Sequence, residues 1–433
     1  MRDPRAAIEV ATDLHADDVA VVDEDATAIA SEAALASIRE IRSRRKLPKL
    51  ADPSAPLLAV EDLRTHFKLE NGWVKAVDGV SFRLNDGEAL GLAGESGCGK
   101  TTTALSLVRL LPSNARIRKG SSIKLFGIDL VPRTEEQLRR YRWREVSIVF
   151  QGAMNALNPV IRIGDQIAEP IEIRLGEPRD RARVRAAELL ELVGIPRKRA
   201  AAYPHELSGG MRQRAMIAMA LACDPAIVIG DEPTTALDVM VQAQILELLE
   251  RLRRELGLSL VLITHDLSVI AETCDRVLIM YAGKVAEEGP VRRIFAAPRH
   301  PYTQKLLGSF PNIHADRRGL ETIPGVPPDL REPPPGCRFH PRCPAAMAIC
   351  KEVVPPETVF ADGVRVACHL YPPGTDGSRL ITAAEVLARG DRRPPVVAGA
   401  GATVGAGVAP AAADGTTAPD GTTAPGVTGS APE

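Results

Sequence analysis

Residues Gly94-Glu95-Ser96-Gly97-Cys98-Gly99-Lys100-Thr101 fit the pattern G-x-x-x-x-G-K-[ST] and directly follow a strand-like run, Glu88 to Ala93. Glycines in such a loop let main-chain N–H groups approach a triphosphate that side chains would block. In this pattern Lys100 reaches the β- and γ-phosphates and Thr101 offers its hydroxyl to Mg²⁺. The apolar run from Thr102 to Val108 reads as a helix whose N-terminal dipole faces the anion. The competing reading is a glycine-rich turn that fits by chance.

Downstream elements favour the phosphate site. Ala226 to Gly230 is a short apolar run bounded by Pro225 and Pro233, as expected of a buried parallel strand, and it ends in Asp231-Glu232. Paired carboxylates at a strand's C-terminal end suit Mg²⁺ holding and water activation, where open α/β sheets bind ligands. Taken alone, they also suit a helix N-cap or a solvated turn. Between the two motifs lies Leu207-Ser208-Gly209-Gly210-Met211-Arg212-Gln213-Arg214, before a helix-forming run from Ala215 to Ala222.

In this order, the three motifs resemble those of ATP-binding cassette (ABC) transporter ATPases. The resemblance covers about residues 57 to 295 and implies a P-loop α/β core with an antiparallel β subdomain at its start. Residues 152–206, which lack βα alternation, would form the helical subdomain that meets membrane-spanning subunits. Helical runs are expected there at Ile167–Leu175 and Arg181–Leu192. The resemblance also assigns roles. Gly94, Glu95, Ser96, Gly97, Cys98, Gly99, Lys100, Thr101 and Thr102 would hold the phosphates of ATP. Thr101, Gln151 and Asp231 would hold Mg²⁺, with Gln151 sensing the γ-phosphate. Glu232 would orient and deprotonate water, and His265, in Leu262-Ile263-Thr264-His265-Asp266, would support the γ-phosphate. Ser208, Gly209 and Gly210 would serve ATP on an opposing cassette, and Thr235 to Asp238 would cross between cassettes. Phe67 aligns with the adenine-stacking aromatic, although Trp73 is nearby and a buried strand aromatic reads equally well.

Composition bounds the partners. The chain has 433 residues and a formal net charge of −1, so no global basic field points to nucleic acid. No run approaches the roughly eighteen apolar residues a membrane span needs. Asp3, Glu9, Asp13, Asp17, Asp18, Asp23, Glu24 and Asp25 crowd an N-terminus without a secretion signal, which places the chain in the cytoplasm. Residues 1–55 read as a mobile arm, with a basic patch at Arg42, Arg44, Arg45 and Lys46 that suits anionic lipid or a solvated face. Residues 376–433 read as a largely disordered tail, with Asp-Gly-Thr-Thr-Ala-Pro repeated.

Residues 296–375 carry a second signal. Of seven cysteines, Cys337, Cys343, Cys350 and Cys368 lie close together. Clustered cysteines in a cytoplasmic chain point to metal rather than disulfides, and four thiolates complete either a [4Fe–4S] cluster or a Zn²⁺ site. Unmetallated thiols are the third possibility; His340 and His369 are fallback ligands for zinc. Cys98, at a variable position of the loop, reads as a small tolerated residue, with an alkylation-sensitive thiol at a helix N-terminus as the alternative, while Cys223 and Cys274 read as small buried hydrophobes.

His300-Pro-Tyr-Thr-Gln304 and Ile323-Pro-Gly-Val-Pro-Pro328 resemble the C-terminal extension of oligopeptide/dipeptide importer ATPases, a branch that includes nickel and glutathione importers. That resemblance associates the four cysteines with a [4Fe–4S] cluster. It implies a peptide importer seated peripherally on the cytoplasmic face of the inner membrane. The partners implied are a second, homologous cassette in a heterodimer, two permease subunits and an extracytoplasmic solute-binding protein. Soluble ABC ATPases that act on DNA or ribosomes carry long coiled coils or tandem cassettes, and neither pattern occurs here.

Overall fold

The computed structural model describes residues 55–150, 152, 156–235, 237–309 and 323–374, together with Ala36. These all fall within the first of two compact units, Met1–Pro395; the second is Val396–Glu433. The expectations for the N-terminal arm and the repeat-bearing tail therefore lie outside the described residues, apart from Ala36 and Ala55.

Two sheets organise the cassette. Strands β1 (Leu58–Leu69), β2 (Gly72–Leu84), β4 (Ala115–Ile117), β5 (Ser122–Leu125) and β6 (Ile128–Asp129) form an antiparallel sheet in the order β2-β1-β5-β6, with β4 on β1. An eight-stranded sheet combines β3 (Ala89–Ala93), β7 (Val146–Val149), β8 (Ile227–Asp231), β9 (Ser259–Ile263), β10 (Arg276–Tyr281), β11 (Lys284–Pro290), β12 (Glu357–Val359) and β13 (Arg365–Ala367). Its order is β12-β13-β11-β10-β3-β9-β8-β7. Strands β3, β8 and β9 are buried at every residue, because helices cover both faces of a parallel sheet. The α/β cassette fold expected from the sequence is the fold observed.

Register fixes where chemistry can occur. Leu92 of β3 and Asp231 of β8 both pair with Ile263 of β9, and the strands run parallel. The residues that follow, Gly94, Glu232 and His265, therefore emerge from the same carboxyl edge of the sheet. Topology places a ligand crevice at that edge.

The insert forms two helices, Ile163–Leu175 and Arg179–Leu192, each starting a little earlier than its hydrophobic pattern predicts. They pack with the Gly209–Ala220 helix through Ile167, Ile171, Leu189, Leu190, Met216 and Ile217.

The C-terminal extension is more firmly built than its many prolines suggest. Strand β13 pairs with β11, so the extension continues the cassette's own sheet. Phe339, Phe360, Val364, Val366 and Tyr371 are buried in the same core as the helical insert. Phe339 also packs against the rings of Tyr281 and Tyr302. Apolar burial therefore helps hold this segment in place.

Candidate functional site

The loop after β3 turns sharply because it contains glycines at positive φ. Gly94 has φ 143°, and a Cβ there would lie 2.2 Å from Met280 O. Gly99 has φ 106°, and a Cβ there would lie 2.3 Å from Ala76 O. No other residue type fits either place without moving main chain. The loop ends in the Lys100–Leu107 helix, whose first turn faces a cleft of about 390 Å³. Residues 96, 97 and 99–102 line this cleft with Ala76, Glu232 and His265.

Lys100 is buried, and its Nζ donates to Gly94 O at 2.7 Å and Glu95 O at 3.1 Å. The Thr101 hydroxyl donates to Asp231 Oδ1 at 3.1 Å, joining the phosphate loop to the end of β8. Burial and the adjacent Glu232 charge raise the Asp231 pKa; the Thr101 hydrogen bond and Lys100 oppose the rise. Glu232 sits at φ 49°, an uncommon conformation for a non-glycine residue. Its N–H donates to Ile263 O at 2.8 Å, and its Oε2 accepts from the Thr235 hydroxyl at 2.9 Å. His265 is exposed, with Nδ1 3.7 Å from the same Oε2.

Not every expected residue reaches this cleft. Gln151 and Ala236 lie outside the described residues. Phe67 is half-buried in β1, opposite Val74 and Ala115, and does not line the cleft. Ser208 caps the Gly209–Ala220 helix by accepting from Met211 N–H at 3.3 Å. Neither Ser208 nor Gly209 and Gly210 lines the cleft of their own chain. Cys98 fits the first of its two readings, a small tolerated residue: it is 4% exposed and burial raises its pKa, outweighing Lys100. It is therefore a protected thiol. Cys223 and Cys274 are buried as expected.

Two residues that sequence reading missed hold the loop from behind. The Tyr302 hydroxyl accepts the Glu95 N–H at 2.8 Å. Arg342 forks onto the Glu95 carboxylate, with Nη1 2.6 Å from Oε2 and Nη2 2.9 Å from Oε1. Arg342 lies 247 positions beyond Glu95, so no local pattern links them.

In the extension, Cys350 and Cys368 are buried, Cys337 and Cys343 are partly so, and none is in a disulfide. Burial pushes Cys337 up to about 11 and Cys343 up to about 12. Burial pushes the Cys368 thiol well up, and Cys343, Cys337 and Cys350 add to the rise. Among the described residues, however, no group of three or more His, Cys, Asp or Glu is arranged to hold a metal ion. The fallback histidines are engaged with main chain: His340 Nδ1 lies 2.9 Å from Cys337 O, and His369 Nε2 lies 2.8 Å from Val353 O.

Comparison with known proteins agrees with this arrangement. Residues 77–235 match the ABC transporter family, and residues 286–350 match the oligopeptide/dipeptide transporter C-terminal region. A relative from Sinorhizobium fredii, named as a probable peptide ABC transporter ATP-binding protein, is 48% identical over 322 residues, covering 73% of this chain and 96% of the relative. A Brucella abortus relative named as a peptide import ATP-binding protein is 49% identical over 314 residues, covering 70% of this chain and 93% of the relative. A second from the same species is 50% identical over 304 residues, covering 70% and 91%. The chain thus belongs to the ABC transporter ATP-binding family, is an ATPase, and carries the C-terminal region of the oligopeptide/dipeptide transporters.

Proposed function

We propose that this chain hydrolyses ATP to drive an importer of di- and oligopeptides, seated peripherally on the cytoplasmic face of the inner membrane. The observation that carries the reading is the Thr101–Asp231 hydrogen bond, with Glu232 and His265 on the rim of the same cleft. A hydroxyl and a carboxylate 3.1 Å apart suit Mg²⁺, which would neutralise phosphate charge once bound. Gln151 would complete that set. Lys100 exchanges its two loop carbonyls for phosphate oxygens. Glu232 takes a proton from water as the water oxygen bonds to the γ-phosphorus, and the bond to the ADP oxygen breaks. His265 donates toward the γ-phosphate oxygens as charge develops there.

Exposed apolar surface supports the partners that the family resemblance implies. Val239 and Met240 are largely exposed at the start of the Val239–Leu256 helix, directly after Asp238, and suit contact with a second cassette. Ser208, Gly209 and Gly210 would then complete that cassette's ATP site, and a heterodimer fits. Val160, Ile161, Ile173 and Val184 are exposed on or beside the helical insert, where two permease subunits would dock. Among the described residues no helix is long and apolar enough to cross a membrane, so the permeases would supply the pore. An extracytoplasmic solute-binding protein would deliver cargo.

The peptide cargo is supported by the names of the relatives and the matching C-terminal region. We also propose a [4Fe–4S] cluster on Cys337, Cys343, Cys350 and Cys368, ahead of Zn²⁺. It rests on the donor set alone, four thiols outside any disulfide, because the described residues form no ready-made metal site. Co-expression with candidate permease and binding-protein subunits tests the transport reading. ATP turnover stimulated by peptide-loaded binding protein is expected. Stimulation by nickel or glutathione instead would move the cargo to that branch, and no turnover in the assembled complex would overturn the reading.

A further inference from the structure

The C-terminal extension backs the loop that lines the cleft. Glu95 is fixed at three separate groups. Lys100 holds its carbonyl, the Tyr302 hydroxyl takes its N–H, and Arg342 clasps its carboxylate. Two of the three holding groups come from the extension. Arg342 is itself fixed: its Nε donates to Pro324 O at 2.7 Å, and Nη1 lies 3.2 Å from the Tyr281 hydroxyl. Its side chain is 6% exposed and that of Glu95 is 23% exposed, so little water screens the pair. A second anchor grips the other flank of the cleft. Arg338, four residues earlier, pairs with Asp78, and Leu330 O accepts the Lys75 N–H at 2.9 Å. Cleft-lining Ala76 lies between those two contacts.

The electrostatics give Arg342 a task that packing alone does not. A triphosphate brings several negative charges to a loop that already contains one carboxylate. An unpaired Glu95 would repel it, and in a partly buried site that repulsion is only weakly screened. A planar guanidinium making two parallel hydrogen bonds both cancels the charge and fixes the carboxylate's direction.

We propose that Arg342 is a positioning residue of the ATP site, neutralising and orienting Glu95 so that the C-terminal extension holds the phosphate loop in its binding shape. This rests on reading residues 94–102 as the triphosphate cradle. Arg342 acts through Glu95 and touches no reacting atom.

The test uses the full chain for ATP binding and the assembled transporter for kinetics. Arg342→Met keeps the stem and removes the charge; it is expected to raise the KM for MgATP on the order of tenfold, as for loss of a charge-assisted hydrogen-bonded pair, with kcat changed much less. Glu95→Gln alone serves as the reference, and E95Q added to R342M is expected to bring KM down to the value of that reference. A purely structural role would not produce that rescue. Arg342→Lys, which keeps charge and packing but not the fork, serves should R342M fail to fold: a rise of about threefold, reversed by E95Q, is expected. An unchanged KM in the substituted chain that folds, or a raised KM that E95Q does not reverse, would overturn the proposal. Lys100→Ala in the same preparation separates the two layers: if K100A binds ATP normally, the cradle reading falls, whatever Arg342 does.

Discussion

Glu232 Oε2 lies 3.7 Å from His265 Nδ1 and 2.9 Å from the Thr235 hydroxyl, so one carboxylate oxygen faces two groups on the rim of the cleft. Register places it there, since Glu232 follows the last β8 residue paired with β9. Glu232→Gln keeps the size and the Thr235 contact but removes the base. ATP binding is expected to persist while turnover in the assembled transporter drops on the order of 10²-fold or more. Near-parental turnover would remove Glu232 from the role of base.

Gly210 has a packing reason to be glycine in addition to any role opposite a partner's phosphate. A Cβ there would lie 2.7 Å from Val241 Cγ1, in the helix that follows Asp238. Gly210→Ala is therefore expected to lower the melting temperature of the isolated chain, and adding Val241→Ala to recover part of it. Hydrolysis in the assembled complex separates the two functions. If G210A/V241A regains both stability and full turnover, the glycine serves packing alone; recovered stability with lost turnover supports the composite site.

Glu287 and His300 form a buried pair with opposing pH responses. The N–H groups of Arg299 and His300 donate to the Glu287 carboxylate at 2.7 and 2.9 Å, and His300 Nδ1 accepts the Tyr302 N–H at 3.0 Å. Burial raises Glu287 from 4.5 to about 7 and lowers His300 from 6.5 to about 4. The folded chain therefore holds the Glu287 proton more tightly than the unfolded chain, and that contribution is lost as pH rises from 4.5 through 7. His300 is kept neutral, so its contribution is present above pH 6.5 and lost as pH falls toward 4. Between pH 4.5 and 6.5 the two slopes oppose each other, and the pair's net effect on the melting temperature is expected to be small. Glu287→Gln should expose the histidine slope, with melting temperature falling as pH drops through that interval relative to the parent. Parallel melting curves for the two proteins across the interval would refute the coupling.

The nucleotide motifs were legible because each is short and sits where a strand becomes a loop. The same physics that favours apolar runs at β3, β8 and β9 also places Gly94, Glu232 and His265 at one edge. What the sequence hid was long-range. Arg342 and Glu95 carry no shared periodicity, and the extension also joins the cassette through β13 on β11, a short two-pair ladder that no local propensity announces. Between the two readings of Cys98, a long-range contact decides. Helix position alone favours the thiolate, but burial behind Gly94 decides otherwise. The extension's apolar residues bury in the cassette's core, a contact that local sequence does not display.

The extension's own core sharpens what its cysteines are expected to do. Phe339, between Cys337 and Cys343, is 1% exposed, and Cys337 N–H donates to Cys350 O at 2.8 Å, so main chain already draws two of the cysteine segments together. Thiols whose ionisation burial opposes would gain from a cation, which inverts that effect. Protein purified without oxygen is expected to be brown and to hold about four iron atoms per chain, as a [4Fe–4S] cluster requires. Serine at any of Cys337, Cys343, Cys350 or Cys368 should bleach it. Because apolar burial also anchors the segment, these variants are expected to remain folded with a lowered melting temperature. Loosening near Cys343 should weaken ATP binding no more than loss of Arg342 itself does. Elemental analysis decides the metal: one zinc per chain without iron would replace the cluster with a thiolate zinc site. No metal after strictly anaerobic handling would leave four packed thiols whose burial alone accounts for them.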